Sequence, residues 1–192
     1  MRPNKKFAVT GGIGSGKSTV LAVIKESGYP VFSCDEIYSE LLKEQDFLAV
    51  IARDFPQCVN KSGLDRGALA AIAFSGDKSI YDRLNSVTHP HIINRLMERM
   101  NAYSVSFAEV PLLYEGGFDR LFDGVIAVCR NKEERIRAVS DRSNLSREEI
   151  ERRISKQIDE NLLRSNADFV IENDGTTSGL KREIKEILDR LL

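Results

Sequence analysis

Near the start of the chain, Gly11-Gly12-Ile13-Gly14-Ser15-Gly16-Lys17-Ser18 matches the pattern GxxxxGK[ST] at every fixed position, and Thr19 follows. No other feature restricts the fold as strongly. Such a loop works where a buried strand delivers the chain and a helix takes it away, so that backbone N–H groups and the helix start converge on an anion. The flanks agree with this. Phe7 to Thr10 is a short apolar run, and Val20, Val23 and Ile24 recur at helical spacing before Gly28, a residue suited to a helix end. Gly12, Ile13, Gly14, Ser15, Gly16, Lys17, Ser18 and Thr19 are therefore candidates for binding a nucleoside triphosphate. Lys17 can reach the β- and γ-phosphates, and the Ser18 hydroxyl is a candidate Mg²⁺ ligand. The plainer alternative is a glycine-rich turn with an exposed lysine at a helix start.

Further strands are predicted at Pro30 to Ser33, Val105 to Val110, Val125 to Cys129 and Phe169 to Glu172, alternating with helical stretches. That pattern predicts an α/β P-loop fold with a five-stranded parallel sheet and crossover helices. Residues 1–35, 105–130 and 165–192 supply this core. Residues 36–104 show helical periodicity but no convincing strand, broken by Pro56, Lys61-Ser62-Gly63 and Gly76-Asp77, and read as a helical insertion. In residues 131–164, Asn131 and Ser146 each precede a glutamate by three positions, so two helices are expected to meet near Ser143 to Ser146.

A chain of 192 residues, 42% hydrophobic, can bury a core as one unit with insertions and needs no disulfides. Cys34, Cys58 and Cys129 are an odd set without CxxC spacing, which suggests reduced thiols, and Cys129 reads as a small core residue. His89 and His91 are the only histidines, too few to suggest a zinc cage. The N-terminus has no apolar leader and no apolar run approaches a membrane span, so a cytoplasmic protein without a membrane partner is expected. The net charge of −1 argues against a nucleic-acid partner.

Binding a triphosphate leaves the reaction open. A GTPase switch needs DxxG and NKxD; no aspartate here precedes a glycine by three, and Asn131-Lys132-Glu133-Glu134 is adequately explained as a helix cap. A motor would need a longer chain and an acidic pair on an apolar strand. A small-molecule kinase remains, and it needs a carboxylate beside the acceptor hydroxyl. Asp35 follows the second strand, where ligands of open α/β sheets collect, and is the candidate base. By position alone it could equally cap a helix beginning at Glu36.

The segments Thr10 to Thr19 and Val31-Phe32-Ser33-Cys34-Asp35 resemble the start of the dephospho-coenzyme A kinase family. Gly63-Leu64-Asp65-Arg66 is similar to that family's DGxLDR turn, His89-Pro90 to its HP pair, and Val110-Pro111-Leu112-Leu113-Tyr114-Glu115 to its VPLLFE segment. Ala167 to Asn173 resembles its ADxVIxN strand. The resemblance implies ATP and Mg²⁺ as cofactors, dephospho-coenzyme A as acceptor, an acceptor-binding insertion at 36–104 and a lid at 131–164. It implies Asp35 as catalytic base, with Lys17 also catalytic. It further implies acceptor contacts from Asp35, Arg66, His89, Pro111, Leu112, Leu113 and Glu115, a nucleotide contact from Asn173, and a metal role for Glu109 beside Ser18. Two positions depart from the family pattern: Ser33 replaces the first aspartate of DAD, and Glu109 the aspartate before VPLL. The expected state is a monomer or small homo-oligomer.

Arg130, Arg135, Arg137, Arg142, Arg147, Arg152 and Arg153 crowd the segment after the fourth strand, and most are expected to face solvent beside glutamates at helical spacing. Arg142 is the candidate lid arginine for the transferring phosphoryl group, with Arg137 behind it. His89, before Pro90, is expected at a helix boundary, because proline disfavours helix at the preceding residue.

Overall fold

The computed structural model describes residues 4–60, 63–73, 77–143 and 145–191, with only the backbone of Arg66 and Ala73. The chain divides into two compact units, one of residues 1–32 and 100–192, the other Ser33–Arg99.

The first unit is built on a parallel sheet. β1 (Lys5–Thr10) is followed by the glycine loop and α1 (Lys17–Glu26), then by β2 (Val31–Ser33), from whose end the chain passes into the second unit. In that unit come α2 (Cys34–Leu41), α3 (Gln45–Asp54), β3 (Val59–Asn60), β4 (Gly63–Leu64), α4 (Arg66–Ala73) and α5 (Lys78–Met100). The sheet resumes with β5 (Val105–Glu109) and β6 (Gly124–Cys129); α6 (Lys132–Ser140), α7 (Arg147–Ile154) and α8 (Glu160–Asn166) precede β7 (Phe169–Glu172) and α9 (Thr177–Leu191). The strand order is β2-β5-β1-β6-β7, with β1 parallel to both β5 and β6, and β6 parallel to β7. The five expected strands are thus the five of the main sheet.

The middle residues of the strands are mostly apolar because both sheet faces are covered. On one face Phe7, Val9, Phe107, Ile126, Val128 and Ile171 pack against α1 and α9. Phe7 and Phe107 are register partners, and their rings stack with centroids 5.2 Å apart. On the other face Ala127 and Cys129 pack with Leu163 of α8. α9 meets the sheet through Leu180, Ile184, Ile187, Leu188 and Leu191, a stripe at helical spacing. Cys34, Cys58 and Cys129 are buried and form no disulfide, and burial pushes the Cys129 thiol up to about 11, which suits a packing role.

The second unit departs from the sequence expectation in two places. β3 and β4 form an antiparallel ribbon where no strand was expected. Each is two residues long, too short for alternation to show; Lys61 and Ser62 between them lie outside the described residues, as does Gly76. The larger correction concerns His89 and Pro90, which lie in the interior of α5 and mark no helix boundary. Leu84, Thr88, Ile92 and Leu96 form a buried stripe at four-residue spacing that runs straight through the proline. Burying that stripe outweighs the roughly 3 kcal/mol that proline costs a helix interior. Paired arginines fasten the same helix: Arg95 grips Glu44 through two hydrogen bonds of 2.9 and 3.0 Å, and Arg99 grips Glu40.

Candidate active site

All five strands of the main sheet run parallel, so the segments leaving their carboxyl ends gather at one edge of the sheet. The glycine loop leaves β1 there and ends at Gly16, whose φ of 92° is left-handed and which serves as N-cap of α1 with no side-chain hydrogen bond. A Cβ at Gly16 would lie 2.0 Å from Asn173 Nδ2, and that amide donates to the Ser15 carbonyl at 2.8 Å. The family-implied Asn173 is therefore a tie on the loop, delivered by the end of β7, where its N–H donates to the Cys129 carbonyl.

Lys17 opens α1. Its Nζ donates to the carbonyls of Gly11 at 3.0 Å and Gly12 at 3.3 Å, and lies 3.8 Å from Glu109 Oε1 at the end of β5. An ammonium turned back on the loop, above a helix start that no side chain caps, is what an incoming phosphate chain would recruit. Ser18 and Thr19 are exposed beside it. Among the described residues no cluster of three or more His, Cys, Asp or Glu could cage a metal. One hydroxyl and one carboxylate, Ser18 and Glu109, are nevertheless the hard, sparse donor set that suits Mg²⁺ completed by substrate phosphates and water.

The far side of the loop is held by residues from the segment after β6. The Ile13 N–H donates to Gln157 Oε1 at 2.9 Å, and the Ile13 carbonyl accepts from Arg135 Nε at 2.9 Å. Arg135 Nη2 also donates to Gln157 Oε1 at 3.1 Å, and Nη1 stands 3.7 Å from Glu160. Arg135 is buried; desolvation pulls its guanidinium below the usual range, opposed by Glu160. Beside the loop, Thr19, Arg130, Glu134, Asn173, Asp174 and Thr177 line a cavity of about 370 Å³. Arg130 Nε is buried without a hydrogen-bond partner among the described residues.

The other sequence candidates fall into separate places. Pro111, Leu112 and Leu113 follow β5; Leu113 is buried, and Leu112 has φ 54°, an uncommon value for leucine of the kind that collects at functional sites. Glu115 Oε1 accepts from the Ile158 N–H at 3.0 Å. Arg142 lies exposed just past α6, whereas Arg137 pairs with Glu134 and Arg147 with Glu133. Asp35, Arg66 and His89 belong to the second unit, and the Arg66 side chain lies outside the described residues. His89 is half-buried, and burial lowers its pKa. The alternative reading of Asp35 as a helix cap is corrected: α2 begins at Cys34, Ser33 is its N-cap and accepts from the Glu36 N–H, and Asp35 is the exposed second residue of the helix.

Sequence reasoning singled out neither Arg135 nor Arg130 from the arginine crowd and gave Gln157 no attention. For Arg135 a signal existed. It stands one position before Ile136 and four before Val139, on the buried face of α6, while Arg137 points to solvent.

A glycine loop between the central strand and α1 of this sheet, with a lysine turned into it, defines the P-loop fold of small-molecule kinases. The solved shikimate kinase of Acinetobacter baumannii shares that fold, with a TM-score of 0.58 at 16% identity over 99% of this chain and 94% of its own. Within the class the assignment narrows. Residues 6–179 match the model of the dephospho-CoA kinase family. A dephospho-CoA kinase of Thermus thermophilus is 38% identical over 187 residues, covering 96% of this chain and 91% of its own. A crystal structure from the same organism superposes with a TM-score of 0.85 at 36% identity over 99% of each chain. The chain belongs to the dephospho-CoA kinase family.

Proposed function

We infer that this chain transfers the γ-phosphoryl group of ATP to the ribose 3′-hydroxyl of dephospho-coenzyme A, giving ADP and coenzyme A in the last step of coenzyme A biosynthesis. The observation that carries the reading is the phosphate cradle, open at an uncapped helix start and tied by Asn173, in a chain that matches the family over residues 6–179. Residues Gly12 to Thr19 hold the phosphates, and Lys17 leaves the loop carbonyls to follow the migrating charge. Ser18 and Glu109 would hold Mg²⁺, which would supply neutralisation of charge on the nucleotide's phosphates. Arg130 and the cavity beside Asn173 receive the nucleotide base.

Asp35 orients the acceptor hydroxyl and takes its proton. The helical insertion, through Arg66 and His89, and the segment Pro111, Leu112, Leu113 and Glu115 bind the coenzyme A precursor. Residues 131–164 act as the lid that excludes water, with Arg142 reaching the phosphates. The protein works in the cytoplasm as a monomer or small homo-oligomer; among the described residues no helix is long and apolar enough to cross a membrane.

The direct test offers the purified protein ATP with dephospho-coenzyme A, adenosine, AMP, shikimate and gluconate in parallel and follows ADP release. Dephospho-coenzyme A alone should give stoichiometric ADP. Faster release with any other acceptor would refute the assignment.

A further inference from the structure

We propose that Arg135 is a positioning residue of the nucleotide site: with Gln157 it fixes the tip of the phosphate loop at Ile13, and Gly12 is glycine in order to admit its guanidinium. The inference rests on reading residues 11–18 as the phosphate site. A surface loop of small residues ordinarily leaves its backbone groups to solvent and adopts many conformations. Here both main-chain polar groups of Ile13 are taken by side chains distant in sequence, the carbonyl by Arg135 and the N–H by Gln157, 122 and 144 positions away. The two clamps are also bonded to each other, since Arg135 Nη2 donates to the Gln157 Oε1 that receives the Ile13 N–H. Glu160 stands 3.7 Å from the remaining guanidinium nitrogen, so the buried cation is opposed by a carboxylate.

Gly12 supplies the steric half of the argument. Gly11, Gly14 and Gly16 have positive φ, but Gly12 does not, so its backbone conformation does not call for glycine. What calls for it is space. A Cβ on Gly12 would lie 2.1 Å from Arg135 Nη2 and 2.5 Å from Cζ. The main chain of Arg135 also lies against the loop, because a Cβ on Gly14 would lie 2.5 Å from the Arg135 carbonyl oxygen. The tip is thus set before phosphate arrives, which spares ordering cost on binding and sets the cradle at its working geometry. It also makes the helical segment after β6 part of the phosphate site by direct contact.

The test measures ADP binding by titration calorimetry, because ADP carries the β-phosphate and needs no acceptor. Dephospho-coenzyme A binding and thermal melting are the controls. Arg135→Ala and Gln157→Met should each weaken ADP by about 10- to 100-fold, the range of one or two hydrogen bonds to a charged or buried group. Dephospho-coenzyme A affinity should stay within about twofold. Gln157→Glu keeps an oxygen that accepts from both Ile13 and Arg135 and should stay near native, a rescue that a packing role would not require. Gly12→Ala should weaken ADP in the native background and add little in an Arg135→Ala background, so that the double-mutant cycle is non-additive. Native ADP affinity in both Arg135→Ala and Gln157→Met, with only a lower melting point, would overturn the proposal. So would equal behaviour of Gln157→Met and Gln157→Glu, or an additive cycle. A wild-type chain that binds no ADP would instead refute the phosphate site on which the proposal rests.

Discussion

Replacing Asp35 with asparagine tests the proposed base without removing a helix cap, because the cap of α2 is Ser33. Ser33 caps α2, and Asp35, one residue inside the helix, is exposed and accepts no capping bond. Its contribution to the fold is limited to a favourable charge near a helix start, worth about 0.3–1 kcal/mol at an exposed site, and Glu36 remains to supply much of that. For a chain of this size such a loss lowers the melting temperature by at most about 4 °C. Asparagine keeps the size and hydrogen-bonding reach of aspartate but cannot take a proton. If Asp35 is the base, turnover should fall by about 10² to 10⁴, equivalent to roughly 3–5 kcal/mol in the barrier, while ATP and dephospho-coenzyme A bind with near-native affinity. Ser33→Ala is the converse probe: losing the cap should cost about 0.5–2 kcal/mol of stability and leave turnover at 25 °C close to native. The chain has no tryptophan, so circular dichroism suits the melts, with coupled ADP release for turnover. An Asp35→Asn enzyme that turns over within tenfold of native would refute the base assignment, and one that loses ATP affinity with intact acceptor binding would indicate a metal role.

Three other outcomes follow from the same geometry. Lys17→Ala should melt within a few degrees of native yet lose at least about 10² in turnover, because it removes the ammonium that follows the migrating phosphoryl charge; turnover near the native rate would remove the loop from the phosphate site. Chelating divalent ions should abolish ADP release, and Glu109→Gln should raise the Mg²⁺ concentration for half-maximal rate without changing metal-free ADP affinity; an unchanged Mg²⁺ requirement would exclude Glu109. Because burial lowers the His89 pKa, the folded state resists protonation more than the unfolded chain does. The stability this residue permits is therefore complete above the unfolded value near 6.5 and lost as pH falls through the lower folded value. His89→Gln should flatten the pH dependence of denaturant midpoints below about pH 6.5, and an identical slope in the variant would contradict it.

Sequence periodicity served best where burial was uniform. The apolar runs at 7–9, 125–129 and 169–171 are legible because both faces of a parallel sheet are covered there. It failed where a single residue spoke against its surroundings. Pro90 argued for a boundary, but the buried residues at 84, 88, 92 and 96 act together over three turns and prevail over one lost hydrogen bond. The proline's cost should remain measurable: it lies exposed in the middle of a continuous helix, so Pro90→Ala should raise the melting point, by up to about 3 kcal/mol of stability. A lower melting point would mean that the ring itself holds the helix in place. The ribbon of Val59-Asn60 and Gly63-Leu64 was invisible for a different reason, since two residues cannot display a period of two.

The site divides along the same line between local and distant causes. The glycine loop is a contiguous motif whose residue types follow from the phosphate they serve, and it can be read without knowing the fold. What holds the loop cannot be read that way. Asn173, Arg135 and Gln157 lie 158, 122 and 144 positions from the loop residues they bond, and only the order of strands brings the ends of β6 and β7 beside β1. The glycines themselves carry both kinds of information. Gly16 is left-handed and also faces Asn173, whereas Gly12, with no unusual torsion, answers to Arg135 alone. A loop that looks shaped solely by its ligand is thus also shaped by the protein behind it. The consequence for mechanism is physical: the segment expected to close over the phosphates already touches their cradle, so a change in that segment can alter ATP binding without any contact to ATP.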